Sequence, residues 1–289
     1  MCKEKKNLHY IQICDTIKSG GIGIYVLIPT PANNWRNATV TVGVISLGCC
    51  KNTVDTELML GILKNAGYQL TANEQEADIL IVNTCGFIDS AKAEAIDFIL
   101  QTAALKQEGL VGKILVTGCL SQRYQDEIVK EMPEVDGILG TGSYTEIVPA
   151  IEKLLEGQSV SDFGSIEAPE QETGRILTTP EHYAYLKIAE GCDNRCTYCV
   201  IPDIRGKFRS RNMGDIIEEV ENLASIGIKE ICLVAQDTTR YGEDIYGTYA
   251  LDSLISSLSE IEGIEWIRVL YCYPDRITDG LIEEFKNNK

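Results

Sequence analysis

Histidine is nearly absent, with only His9 and His182 among 289 residues. Imidazole is the common ligand of catalytic zinc and the base of Ser-His-Asp hydrolysis, so both chemistries are poorly supplied. Positive charge is short as well: 26 Lys and Arg face 43 Asp and Glu, a formal net charge of -17. A surface of that sign repels nucleic acid except through a local basic patch, and suits a basic protein partner better. The apolar run 22–28 is followed by no small-x-small cleavage site, which argues against a secretory leader. A phosphate loop is missing too, because Gly140-Thr141-Gly142 has no Lys-Ser/Thr behind it and reads as a turn. Cysteine is present but too sparse for a disulfide scaffold: the eleven sit inside core-like segments rather than at regular spacings. No disulfide partner is expected, and the cysteine usage implies a reducing, cytoplasmic setting away from any membrane.

The length suits about two domains with real cores. Residues 1–40 differ in character from the rest of the chain and read as a disordered or misassigned leader, with Cys2 and Cys14 given no role. Residues 41–157 alternate short branched apolar runs (41–47, 79–82, 114–116, 135–139) with helical periodicity (54–66, 90–105, 122–131, 144–155). That pattern predicts an α/β domain with a doubly wound parallel sheet. Residues 158–180 are polar and acidic and read as a linker ending in an edge strand about Ile176. In 181–289 an apolar run at 183–188 is followed by helices at 213–226, 251–261 and 279–286 and strands at 230–235 and 266–271, three β/α units of a partial barrel.

The chemistry lies in cysteines. Cys192, Cys196 and Cys199 are spaced C-x-x-x-C-x-x-C, so one short loop can present three thiolates. Three thiolates on a four-iron cluster leave one iron open for a further ligand. A zinc knuckle or a chance grouping of buried cysteines is the alternative, but zinc sites favour C-x-x-C pairs and four ligands. Cys49, Cys85 and Cys119 each follow the carboxyl end of a predicted strand. Ligands of open α/β sheets bind outside those ends, so the three could meet at a second cluster; separately, each reads as a small buried hydrophobe.

With Tyr198 as its aromatic, the C-x-x-x-C-x-aromatic-C loop resembles that of the radical S-adenosylmethionine (SAM) enzymes. The run 185–192, Ile201-Pro202, Ile204-Arg205-Gly206-Lys207 and Arg209-Ser210-Arg211 are similar to their methylthiotransferase branch. Leu47-Gly48-Cys49 with Lys51-Asn52, Asn83-Thr84-Cys85 and Thr117-Gly118-Cys119 stand where that family's amino-terminal motifs stand, with Cys50 in place of the usual proline. The resemblance implies two 4Fe-4S clusters, SAM on the open iron of the Cys192/Cys196/Cys199 cluster, and addition of a methylthio group to an acceptor. It implies cofactor-binding roles for Tyr198, Gln236 and Asp237, although the Gly-Gly-Glu motif common at that strand end is absent. The basic run Arg205, Lys207, Arg209 and Arg211 is expected to meet a carboxylate of SAM or of an acidic substrate side chain. Residues 235–242 resemble the branch that modifies the β-carbon of an aspartate in ribosomal protein S-twelve of the small ribosomal subunit. Modification of transfer-RNA adenosine is the alternative within the family, and an iron-sulfur electron carrier or structural metalloprotein the alternative outside it. Family barrels have about six β/α units and a following TRAM domain, so a carboxyl-terminal truncation is expected. Electron and sulfur donors are not identified.

Overall fold

The computed structural model describes residues 40–168 and 174–288. The expected leader, with Cys2, His9 and Cys14, lies outside the described residues apart from Val40, as do 169–173 of the expected linker.

The first lobe runs β1 (Thr41–Ser46), α1 (Cys50–Asn65), β2 (Gln69–Thr71), β3 (Ile79–Thr84), α2 (Asp89–Gln107), β4 (Lys113–Gly118), α3 (Cys119–Glu131, kinked at Gln125), β5 (Gly137–Leu139), α4 (Ile147–Leu155) and β6 (Val160–Asp162). Its six strands are all parallel, in the order β2-β1-β3-β4-β5-β6. Parallel strands covered on both faces need apolar residues on both sides, and β3 is buried at every position. Successive residues point to opposite faces. Ile79 and Ile81 therefore pack with Met59, Leu63, Ile151 and Leu154 of α1 and α4, while Leu80 and Val82 pack with Ala95, Ile99, Leu120 and Ile128 of α2 and α3. The chain leaves β1 for β2 on one side and returns to β3 on the other. The switch point of the sheet thus lies between β1 and β3.

The second lobe runs β7 (Tyr183–Lys187), β8 (Ala189–Glu190), α5 (Ile201–Arg205), β9 (Arg209–Ser210), α6 (Met213–Ser225), β10 (Glu230–Val234), α7 (Glu243–Tyr246), α8 (Leu251–Ser259), β11 (Trp266–Val269) and α9 (Asp279–Asn287). Strands β7, β10 and β11 form a parallel sheet in sequence order, and β8 pairs antiparallel with β9. Leu186, Ile231 and Leu233 pack against Ile216, Val220, Leu254 and Leu258 on α6 and α8. Among the described residues no helix is long and apolar enough to cross a membrane.

The segment expected as a linker differs from that reading in two ways. Its start supplies β6, which pairs with β5 and extends the first sheet to Asp162; one buried residue, Val160, in a polar triplet was too little pattern to mark a strand. Ile176 is not in a strand. Its N–H instead bonds the Glu57 carbonyl at 3.0 Å, and the chain around it is pinned between the lobes. The buried Glu57 carboxylate accepts the Thr178 N–H at 2.7 Å and Arg175 at 2.8 Å, and Arg175 also pairs with Glu219 of α6 at 2.9 Å. Burial pushes the Glu57 carboxyl up, with Arg175 opposing.

Two stability effects are expected. Ile81, fully buried at the centre of the first sheet, should cost about 2–5 kcal/mol when replaced by Ala, read as a lowered urea midpoint with unchanged slope. Asp136 accepts Lys106 at 2.5 Å, Lys113 at 3.0 Å and the Ile114 N–H at 2.8 Å. Burial alone would raise its carboxyl, but the two lysines and the amide together hold it below the ordinary range. A lowered carboxylate stabilises the fold above its unfolded pKa, about 4, and that contribution is lost as pH falls toward the folded value. The midpoint gap between the parent and Asp136→Asn should therefore be wide at neutral pH and narrow in acid; an equal gap at both would show that charge is not its source.

Candidate metal and cofactor site

Each cysteine of the first triplet sits where a strand hands over to a helix. Cys49 is the residue before α1, Cys85 follows β3 directly, and Cys119 opens α3 after β4. Since β1, β3 and β4 are neighbours, the three share one edge of the sheet at its switch point. Gly48 lets them approach: its φ is +96°, and a Cβ there would lie 2.6 Å from Cys85 Cβ. Asn52 braces the turns, its amide donating to the Leu47 carbonyl at 3.0 Å and the Thr84 carbonyl at 2.9 Å. Burial pushes the Cys85 and Cys119 thiols up, with Cys49 adding to both; beside Cys119, Arg205 opposes the shift. Cys50 points elsewhere, its sulfur 3.8 Å from the Tyr271 hydroxyl.

The second triplet lies on a loop closed at its neck by β8 and β9. The Cys192 N–H bonds the Gly206 carbonyl at 3.0 Å across that neck. Gly191 is required there, because its φ is +75° and a Cβ would stand 2.0 Å from the Lys207 carbonyl oxygen. The Asn194 N–H approaches Cys192 Sγ at 3.5 Å, and the Cys199 N–H bonds the Cys196 carbonyl at 2.9 Å. Burial pushes the Cys192 thiol up against the Asn194 N–H, while Asp237, Cys199 and Cys196 add to the rise. The loop thus hangs over the carboxyl ends of β7 and β10.

Between the triplets lies a buried ionic cluster. Lys187 Nζ reaches Asp55 at 2.7 Å and Glu190 at 3.3 Å; Arg205 reaches Asp55 at 2.8 Å, Glu190 at 3.1 Å, Asn52 at 2.5 Å and Cys119 Sγ at 3.4 Å. Lys51 lies over the Tyr271 ring and donates to the Ala235 carbonyl at 3.2 Å, carrying the Cys49 turn to the end of β10. Burial would raise the Glu190 carboxyl, but Arg205, Lys187 and Lys51, with the Gln236 amide, hold it well below the carboxylate range. Burial likewise opposes the Arg205 charge, and Asp55, Cys119 and Glu190 more than restore it.

The remaining residues singled out from sequence fall in different places. Asp237 is buried with both oxygens engaged, by Thr239 at 2.6 Å, Asn194 at 3.2 Å and Arg276, and Arg276 also holds Asn194 at 2.8 Å. It acts here as a brace for the cysteine loop. Gln236 donates to Glu190 at 2.5 Å, and its buried Oε1 has no partner among the described residues. Tyr198 is 81% exposed. The basic run was expected to face a carboxylate of SAM or substrate, and Arg205 corrects that: only 4% exposed, it faces internal carboxylates. A sequence cannot distinguish a buried guanidinium from its solvated neighbours. Arg209 donates to the Arg205 and Lys207 carbonyls, and Arg211 to the Lys187 carbonyl and Glu219. Lys207 alone of the four is open to solvent, loosely paired with Glu167 at 3.7 Å. Asp55, Lys187, Glu190, Asn194 and Arg276 were not anticipated. Charges set in apolar segments, such as Lys187 after Tyr185-Leu186, are the signal that could have found them. A cavity of about 580 Å³ between α1 and α6 is lined by no cysteine and reaches the ionic cluster at Lys187.

The donor set fits thiolate-bound iron. Each triplet offers three free thiols, and two buried cations, Lys187 and Arg205, are paired with the buried carboxylates of Asp55 and Glu190 beside them. Among the described residues no three Cys, His, Asp or Glu close tightly enough for a single metal ion; a cluster, which spaces its thiolates by its own size, asks for less.

Comparison with known proteins agrees. Residues 41–140 match the uncharacterized protein family UPF0004, and residues 186–289 match the radical SAM superfamily. The chain is 55% identical over 244 residues to the ribosomal protein uS12 methylthiotransferase RimO of Pelotomaculum thermopropionicum, covering 84% of this chain and 55% of that protein. It is 54% identical over 249 residues to RimO of Clostridium tetani, covering 86% and 55%, and 51% identical over 249 residues to RimO of a Thermoanaerobacter species, covering 86% and 57%. The chain therefore spans a little over half the length of these relatives. In fold it is similar to the radical SAM methyltransferase TsrM of Kitasatospora setae with cobalamin and a 4Fe-4S cluster bound, at TM-score 0.56 and 10% identity over 86% of this chain and 59% of that one. With both modules matched in order and about half of the aligned residues identical, the chain is similar over most of its length to radical SAM methylthiotransferases.

Proposed function

We propose that this chain is the cluster-bearing part of an enzyme that adds a methylthio group to the β-carbon of an aspartate in ribosomal protein uS12. One observation carries the reading. Two cysteine triplets, far apart in sequence, stand at the carboxyl ends of two parallel sheets that face each other across the Lys51 contact to Ala235. Cys192, Cys196 and Cys199 would hold one 4Fe-4S cluster, with an iron open to SAM, and Cys49, Cys85 and Cys119 a second. When bound, reduced cluster and SAM together supply a radical that removes hydrogen from the acceptor carbon, and the second cluster a place for sulfur.

The residues of the chain position and enclose this chemistry. Asp237, Asn194 and Arg276 fix the loop from below, so the three thiols do not have to be gathered by the metal alone. Gln236 Oε1, a buried acceptor without a partner among the described residues, suits the ammonium of an amino-acid ligand such as the methionyl end of SAM. Tyr198 on the exposed rim can close over an adenine ring. Lys207, solvent-facing beside the loop, is placed to meet an acidic side chain of the acceptor. The net charge of -17 favours a basic ribosomal protein over transfer RNA as partner, and a ribosomal substrate suits a cytoplasmic enzyme. The first domain on this reading extends from residue 41 through β6 to 162, and the second begins at 181.

Anaerobic reconstitution should give about eight irons per chain, and about four in each of Cys49→Ala/Cys85→Ala/Cys119→Ala and Cys192→Ala/Cys196→Ala/Cys199→Ala. Zinc in place of iron, or no loss in either variant, would remove the basis of the reading. With dithionite and SAM, deoxyadenosine formation should persist in the first variant and vanish in the second. Mass spectrometry of a uS12 peptide and of transfer RNA after incubation with the full-length protein should find the methylthio group on the peptide; its appearance on RNA would rule out the proposed acceptor.

A further inference from the structure

Arg205 belongs to the second lobe by sequence and to the first by contact. It ends α5, the helix that continues the Cys192–Cys199 loop, yet its Nη2 donates to Asn52 Oδ1 at 2.5 Å and Cys119 Sγ at 3.4 Å in the first lobe. Its Nη1 is held by Asp55 at 2.8 Å and Glu190 at 3.1 Å. Those contacts leave the fork little choice of direction. The side chain is 96% buried, since it is 4% exposed, so the bond to sulfur is made without competing water.

We propose that Arg205 is a positioning residue that sets the reduction potential of the cluster held by Cys49, Cys85 and Cys119, through a charged N–H···S bond to Cys119. The inference rests on the assignment of that cluster to these three cysteines. A donor on a ligand sulfur stabilises the more electron-rich, reduced cluster more than the oxidised one, and so raises the potential. Charge bookkeeping points the same way. Arg205 is the charged group in direct contact with Cys119, Lys51 carries a second buried positive charge next to the Cys49 turn, and the carboxylates Asp55 and Glu190 are each paired with Lys187 and Arg205. The bond has a geometric basis that a lysine lacks: only a planar fork can engage Asp55 and Glu190 with one nitrogen while presenting the other to Asn52 and Cys119. Asn52 gives the arrangement its register, because the amide that accepts from Arg205 also donates to the Leu47 and Thr84 carbonyls beside Cys49 and Cys85. A residue carried on the SAM-cluster loop would thereby tune the other cluster.

The test is a redox titration followed by electron paramagnetic resonance, in the Cys192→Ala/Cys196→Ala/Cys199→Ala background so that only the first cluster contributes. Arg205→Gln should move the potential negative by about tenfold in reduced fraction at fixed poise, about 59 mV for a one-electron couple. Arg205→Lys, which keeps the charge and loses the fork, should move it the same way by less, and decides the matter if Arg205→Gln does not fold. Lys229→Gln, the same charge change at a surface pair with Glu265, should leave it unmoved. An unchanged potential in Arg205→Lys with about four irons retained would overturn the inference and leave the cluster assignment standing. Loss of iron from folded Arg205→Lys would also overturn it, by showing that Arg205 only holds the site together. A background protein that binds no iron would instead overturn the cluster assignment itself.

Discussion

A guanidinium removed from water must be matched by charge and by hydrogen bonds, and the match Arg205 finds ties this protein together. Removing an ion from solvent costs several kcal/mol even after relaxation. Asp55 on α1, Glu190 at the loop neck and Asn52 beside the first cysteines meet that cost together. Two of the three come from the other lobe, so the charge can be buried only while the lobes are docked. Lys187 shares both carboxylates, and Glu57 with Arg175 repeats the device on the other side of α1. Undocking the lobes would leave Arg205 without Asp55 and Asn52, a buried charge without its partners, which makes the docking geometry strict rather than merely favourable.

That strictness matters because both sheets direct their chemistry to the same kind of edge. Parallel strands end together at their carboxyl termini, and the turns leaving them are free to carry polar and sulfur groups while the strands fill the core. The first lobe uses β1, β3 and β4 for its cysteines; the second uses the exits of β7 and β10 for the loop and its brace. Neither edge alone faces anything in particular. It is the ionic cluster, with Lys51 reaching the Ala235 carbonyl, that turns the edges toward each other.

Much of this was legible in the sequence, and what was not shares a cause. Strands 79–84 and 113–118 announce themselves as branched apolar runs because burial on both faces leaves them no choice, and the six cysteines could be placed at strand exits and in the loop from spacing alone. Periodicity reports only which residues avoid water, so it missed β6, where Val160 is the single buried residue of its strand. It also mistook the pinned backbone at Ile176 for an edge strand. Charged residues were the harder problem. Arg205 and Lys207 are two positions apart in one basic run, yet one is buried and the other open, and only the shape of the partner lobe decides between them. Asp237 was legible as an important strand-end acid, but its partners Asn194 and Arg276 come from 43 and 39 residues away.

The same separation explains how an acidic protein can surround an electron-rich centre. A net charge of -17 near reducible thiolate clusters would make each added electron more costly if the charge were spread evenly. It is not: Arg205 is drawn inward against Cys119 and Lys51 beside the Cys49 turn, and the carboxylates Asp55 and Glu190 buried with them are ion-paired. The outer acidity acts through water and salt, where its reach is about 8 Å at physiological ionic strength. Arg205 acts on Cys119 across a dry interface at 3.4 Å, where screening is weak. The charge that meets the Cys119 sulfur is therefore set by the buried pairing of Arg205 with Asp55 and Glu190 rather than by the net charge of the surface.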